Sequence, residues 1–164
     1  MVLSALSDSI AEAVAVLTFS NADVEYLLDA KKTISAIPNI MESAAEFVMA
    51  ANVRRKDNPG KELGLIIRVH AKRSPSGIPK GVPACVLQWH GQRIRGINRE
   101  LWHDNPDGSI VKGWHEHLWN EEDRDGRVVP ADIKRADMRG VFEWCLKKWN
   151  IEVRERQSEA RDNG

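Results

Sequence analysis

The 164-residue sequence has few cysteines, no long apolar run and no net charge. Its two cysteines, Cys85 and Cys145, lie in separate apolar segments without CxxC spacing, which excludes a disulfide scaffold and favours reduced core residues. No run approaches the ~18 apolar residues of a membrane span, and Asp8 and Glu12 interrupt the apolar N-terminus where a signal peptide would need continuity. We therefore expect a cytoplasmic protein that makes no membrane contact.

The sequence also lacks a glycine-rich phosphate loop, a Ser-His-Asp constellation and paired CxxC ligands. Nothing identifies a small-molecule substrate, and no cofactor is expected. The length suffices for one hydrophobic core and not for two. The sequence predicts a single α+β domain over residues 1–150 and a frayed tail over residues 151–164, where apolar periodicity ends.

Charge is distributed unevenly along the chain. Residues 1–53 carry two basic and seven acidic side chains, residues 54–99 carry eleven and two, and residues 100–125 carry two and eight. A basic block of this kind attracts phosphate backbones or an acidic partner protein. It can equally be a solvated sheet face whose charges pair with the acidic flanks. The sequence leaves both interpretations open.

Three helices are predicted. An apolar stripe with helical spacing indicates a first helix over residues 4–18. Ser20 and Asp23 form a capping box for a second helix, which should end near Ile37 because Pro38 follows. A third helix after Pro130 has one apolar face, made of Met138, Val141, Phe142, Cys145, Leu146 and Trp149.

Alternating segments between these helices predict strands. Residues 47–53 and 63–69 read as a hairpin around an Asp-Asn-Pro-Gly turn, followed by an exposed loop over residues 74–83. Residues 84–89 and 92–97 read as two further strands, and Arg93, Arg95 and Ile97 are expected to share a face. The predicted fold is α+β, an antiparallel sheet of about five strands covered by two N-terminal helices and one C-terminal helix.

Residues 103–119 hold three of the five histidines and a strong turn signal at residues 105–108. His115 and His117 are two residues apart, so an extended strand puts both imidazoles on one face. A metal-independent ribonuclease needs one group to accept the 2′-OH proton and another to protonate the leaving oxygen, and imidazole suits both roles. The candidate catalytic residues are His115, His117 and Asp104.

A shared metal is not expected at these histidines. If residues 105–108 are a four-residue hairpin loop, His103 faces Ile110, five residues from His115. At about 3.3 Å per residue the two histidines are about 16 Å apart, too far for zinc ligands at about 2.1 Å. A structural metal site stays open as an alternative only if the loop is irregular.

Cations and aromatic rings around the same stretch are candidates for nucleic-acid binding. Arginines could stabilise the charge on a phosphorane, and indole rings could stack on bases. The candidates are Arg93, Arg95, Arg99, Arg68, Lys72, Arg73, Trp102 and Trp119.

An R-x-x-G-I segment followed by H-x-N-P-D-G and H-x-H resembles the central region of small bacterial families similar to the TumE-type toxins of toxin–antitoxin modules. The resemblance covers roughly residues 84–120, and its matching residues are His103, Asp104, Asn105, Pro106, Asp107, Gly108, His115 and His117. It implies a toxin-like protein that cleaves RNA by histidine-based acid/base chemistry and has a cognate antitoxin. The alternative is a non-catalytic phage or mobile-element protein of the anti-CRISPR type, which binds and inhibits a nucleic-acid-handling defence complex.

Overall fold

The computed structural model describes residues 19–122 and 126–154. The described part contains nine strands and two helices. In chain order they are α1 (Asn21–Asp29), β1 (Lys32–Ile34), β2 (Met41–Glu42), β3 (Glu46–Arg55), β4 (Glu62–Arg73), β5 (Pro79–Trp89), β6 (Gln92–Asp104), β7 (Ile110–Leu118), β8 (Arg127–Pro130), α2 (Met138–Lys148) and β9 (Ile151–Val153).

All nine strands belong to one mixed sheet. Its order is β8-β7-β6-β5-β4-β3-β1-β9, and the short β2 pairs with β3 outside this path. Strands β3 to β8 form an antiparallel meander, because each pairs with its successor in sequence. At the other edge β1 pairs with β9 in parallel. Helix α2 contacts β4 and β5, and its apolar face closes the core.

The expected arrangement of five strands under three helices is wrong. The described residues contain nine strands, and the second predicted helix ends at Asp29 instead of near Ile37. The first predicted helix, over residues 4–18, lies outside the described residues. The capping box is confirmed, since the Ser20 side chain accepts from the backbone of Asp23 and the Asp23 side chain accepts from the backbone of Ser20.

Lys32 belongs to a segment that the sequence placed inside the second helix but that forms a strand between β3 and β9. It lies on β1 and is fully buried, although a lysine in an apolar segment normally indicates a surface position. Its Nζ donates to the carbonyl oxygens of Leu27 and Leu28 at 2.8 Å and of Ala30 at 2.6 Å. These carbonyls belong to the last turn of α1 and its C-cap, where a cation stabilises the negative end of the helix.

The C-terminal helix is confirmed. The side chain of Asp137 accepts from the backbone of Gly140 and caps α2, and the predicted apolar face is buried at all six positions. Residues 151–153, which the sequence placed in the tail, form β9. Residues 79–83, expected in a loop, begin β5, so this connection shortens to a turn over residues 74–78. Neither helix in the described ranges is long and apolar enough to cross a membrane.

Candidate metal centre

The hairpin of β6 and β7 contains a β-bulge at the level of the histidines. Glu100 lies opposite Gly113 and His103 lies opposite Val111, so Leu101 and Trp102 together face the single residue between them on β7. Gly113 has a φ of 80°, which glycine adopts without steric cost. A bulge bends the strand and increases its local twist. The end of the hairpin is therefore bent relative to a regular ladder.

This bend brings three histidines together. The ring centroids of His103 and His115 are 5.3 Å apart, those of His103 and His117 are 5.3 Å apart, and those of His115 and His117 are 5.0 Å apart. One ring nitrogen from each lies within 4.8 Å of the other two. The expected separation of about 16 Å is wrong, because it assumes a straight strand at about 3.3 Å per residue. The reason for excluding a shared metal is removed.

Backbone geometry fixes the tautomer of His115. Its Nδ1 lies 3.0 Å from the carbonyl oxygen of Gly113, which can only accept, so Nδ1 carries the proton. The lone pair is then on Nε2. That nitrogen is fully buried and has no hydrogen-bond partner among the described residues. A buried acceptor without a donor is costly, and a metal ion is one group that would satisfy it.

A side-chain network fixes the tautomer of His117. The amide Nδ2 of Asn98 donates to Glu100 Oε1 at 3.1 Å, which directs Asn98 Oδ1 towards His117. His117 Nε2 lies 3.1 Å from that oxygen and therefore donates to it. The lone pair of His117 is consequently on Nδ1. Histidines that bind metals are typically oriented by a hydrogen bond from the opposite ring nitrogen to a carbonyl or carboxylate oxygen.

Glu100 lies at the mouth of the cluster. Its Oε2 is 3.6 Å from His103 Nδ1 and 3.9 Å from His115 Nε2. The Glu100 side chain is 46% exposed, whereas that of His115 is fully buried. Sequence reasoning missed this residue. The signal was the two-residue spacing of Asn98 and Glu100, which on a strand paired with the H-x-H segment puts both side chains on the histidine face.

The three arginines expected beside the histidines lie on different faces. A register shift pairs Arg93 with Gln88 and Arg95 with Leu87, and these two partners are consecutive residues of β5. Arg93 and Arg95 therefore point to opposite faces, and the expectation of a shared face is wrong. Arg99 pairs with Trp114, on the face opposite His115.

Arg93 is the arginine of this set that remains near the histidines. Its side chain lies over Gly96, where an added Cβ would come within 3.3 Å of Arg93 Cδ. Gly96 is the cross-strand neighbour of His117. The guanidinium of Arg93 therefore occupies the histidine face of the sheet.

The side chain of Arg95 lies on the face of the sheet opposite the histidines. Its side chain is largely buried, with Nε 3.7 Å from Oε1 of the buried Glu116. Burial lowers the pKa of Arg95, while the neighbouring carboxylate of Glu116 acts in the opposite direction. Arg95 is thus a core cation and is not positioned to bind a phosphate at the histidines.

The other predicted site residues are dispersed. Asp104 is exposed and, as the strand neighbour of His103, points to the other face. Trp119 is buried in the main core and cannot stack on a base. Trp102 is 60% exposed within the bulge.

Carboxylates of the acidic flanks neutralise part of the basic block. Arg68 pairs with Glu46, and Arg73 Nη1 lies 3.0 Å from Glu42 Oε2. Lys72 lies between them in sequence and is exposed. The sequence left open whether the basic block pairs with the acidic segments on either side of it, and the structure contains such pairs.

No family model matches this sequence, and no significant match was found among curated proteins or solved structures. The resemblance to TumE-type toxins stays a prediction.

Proposed function

We propose that the protein binds one divalent transition-metal ion such as zinc through His103, His115 and His117. We further propose that it uses this ion to cleave RNA as a toxin-like cytoplasmic protein. The observation that carries the proposal is the convergence of three ring nitrogens within 4.8 Å. Neutral imidazole is a preferred ligand of zinc, copper, iron and nickel. A site with three histidine ligands and one further position for water is typical of catalytic zinc.

The burial of His115 favours a metal over a metal-independent proton-transfer pair. Acid/base cleavage requires both imidazoles to contact the RNA, and a fully buried side chain has no such access. As a ligand, the same side chain needs contact only with the ion. Zinc activates bound water as a nucleophile and stabilises developing negative charge. Stabilisation of that negative charge was expected from Arg95 and Arg99, which lie on the opposite face of the sheet and cannot provide it.

Two observations support RNA as the substrate. They are the resemblance to TumE-type toxins and the position of Arg93 near the histidines. Arg93 occupies the histidine face, next to Gly96, and can contact a phosphate bound at the cluster. A guanidinium there binds phosphate by a charge-assisted hydrogen bond.

The test is metal content and zinc titration of the purified protein, followed by cleavage of labelled single-stranded RNA with and without chelator. We expect one zinc per chain and cleavage that chelator abolishes and zinc restores. His117→Ala should lose both, while His70→Ala, on β4, which β5 separates from β6, should keep both. Cleavage that survives complete metal removal would return the function to metal-independent acid/base chemistry. A chain that binds no metal would refute the proposal.

A second candidate function is that of a non-catalytic protein which binds and inhibits a nucleic-acid-handling defence complex. It is favoured by an apolar surface at the end of the hairpin, where Leu101, Trp102 and Ile110 are all strongly exposed. Contiguous exposed apolar side chains are typical of protein interaction sites. In this case Trp102→Ser should abolish inhibition of the defence complex in cells that carry one, while His117→Ala should leave it unchanged.

A further inference from the structure

We infer that Glu100 is the fourth ligand of this metal centre and that it is displaceable, so the centre alternates between a closed and an open form. The inference rests on the metal-binding part of the proposed function and is independent of the substrate.

The position of Glu100 Oε2 is close to that of a coordination vertex relative to His103 and His115. Four ligand atoms at about 2.1 Å from a tetrahedral ion lie about 3.4 Å from one another. Oε2 is 3.6 Å from His103 Nδ1 and 3.9 Å from His115 Nε2. Both distances exceed the roughly 3.2 Å limit of a good hydrogen bond to nitrogen. Hydrogen bonds to His103 and His115 therefore do not hold the carboxylate there, although its oxygen is spaced from their nitrogens roughly as a ligand would be.

Asn98 prepares Glu100 for binding through one oxygen. Its amide donates to Oε1 at 3.1 Å and leaves Oε2 directed towards the histidines. The oxygen Oδ1 of the same side chain accepts a hydrogen bond from His117 Nε2. One side chain thus orients a histidine ligand and the carboxylate ligand together. Conversion of Asn98 to aspartate would put two carboxylates in contact and disturb both.

Exposure distinguishes Glu100 from His115 and His117. His115 and His117 are buried and cannot leave the centre without opening the sheet, whereas Glu100 is 46% exposed at the bulge. Its side chain can rotate into solvent without loss of core packing. Its departure exposes the vertex to water or to a phosphate oxygen. The charge fits such an exchange, because one anion replaces another on a divalent cation with three neutral ligands.

Substitution of cobalt(II) for zinc tests ligation by Glu100, and with added phosphate it also tests displacement. The visible absorption of bound cobalt(II) reports its coordination number and the type of its ligands. Wild-type protein should show the intense bands of a four-coordinate ion. Glu100→Gln should change those bands and weaken zinc binding by about tenfold or more. Asp104→Asn, an exposed carboxylate on the same hairpin, is the matched control and should change neither. Thermal unfolding of the metal-free variants checks that all are folded.

Inorganic phosphate tests displacement. Added to cobalt-loaded wild type, it should shift the bands with saturation, and Glu100→Gln should bind it more tightly because the vertex is already open. If the wild type binds metal and Glu100→Gln keeps its affinity and spectrum, Glu100 is not a ligand and only this inference fails. If phosphate leaves the wild-type spectrum unchanged while it shifts that of Glu100→Gln, Glu100 is a permanent ligand and displacement is refuted. If the wild type binds no metal, the proposed function fails first.

Discussion

Trp149 Nε1 donates a 2.8 Å hydrogen bond to Oε1 of the buried Glu116. Glu116 lies on β7 between His115 and His117, and its side chain points to the opposite face. The C-terminal end of α2 is thereby tied to the strand that carries two of the three histidines. Helix α2 supports the histidines from the far side of the sheet.

Trp149→Phe should lower the free energy of unfolding by about 1.5–3 kcal/mol, because it removes a hydrogen bond to a buried carboxylate. Urea denaturation monitored by circular dichroism measures the loss. Trp102→Phe is the control, since Trp102 is exposed, and should change stability little. Equal effects of the two substitutions would show that the bond to Glu116 does not stabilise the fold.

Phe142→Ala should lower the free energy of unfolding by about 3–5 kcal/mol, because it leaves a cavity where α2 packs on the sheet. Phe142 is fully buried in the core. Chemical denaturation is again the measurement. A loss below about 1 kcal/mol would mean that the core relaxes around the missing ring and that α2 does not depend on it.

Lys32 should make stability rise with pH in the alkaline range. Burial lowers its pKa from 10.5 to about 8, although Asp29 acts in the opposite direction. Between these two values the folded state binds fewer protons than the unfolded state, so the free energy of unfolding increases with pH. Below pH 8 both states are protonated and the contribution is constant.

The measurement is the difference in free energy of unfolding between wild type and Lys32→Met at several pH values. This difference should shift in favour of wild type by up to about 3 kcal/mol between pH 8 and 10.5. Groups that titrate in both proteins, such as Cys145, cancel in the comparison. A difference that is flat across this range would show that Lys32 keeps its proton, held by its three carbonyl acceptors.

Lys72 should contribute to any binding of RNA by the basic block. It lies directly opposite Lys80 on β5, and both are exposed, so two like charges are adjacent on the surface. Lys72→Ala should weaken binding and reduce the slope of log affinity against log salt by about 0.7–0.9. Arg55→Ala is the control, because Arg55 pairs with Asp57. An unchanged slope for Lys72→Ala would favour recognition of a protein.

Local signals predicted the elements that depend on neighbours in sequence. The capping box at Ser20, the turn at residues 105–108 and the apolar face of α2 are all decided within a few residues. The elements at the sheet edge were missed for the opposite reason. β1 and β9 have three residues each, and they pair with each other although more than one hundred residues separate them in sequence. Tertiary pairing of this kind leaves no periodic pattern in so short a segment.

The histidine cluster shows the same limit at the level of the site. The H-x-H spacing identified two of its members, and His103 was identified and then excluded. The exclusion depended on a regular ladder, and the bulge at Leu101 and Trp102 breaks that ladder. A one-residue register shift also separated Arg93 from Arg95. Strand periodicity gives the face of a residue only as far as the next bulge.

The parallel pairing of β1 with β9 also sets an order for folding during synthesis. β1 emerges from the ribosome more than one hundred residues before its partner, since Lys32 pairs with Ile151. Until then β1 is an open strand edge next to β3, and open edges are the sites at which sheets pair with other chains. The meander from β3 to β8 can form as each strand appears, whereas this edge must wait until residues 151–153 have been synthesised. A chain that terminates before residue 151 would keep the histidine cluster and expose a permanent site for aggregation.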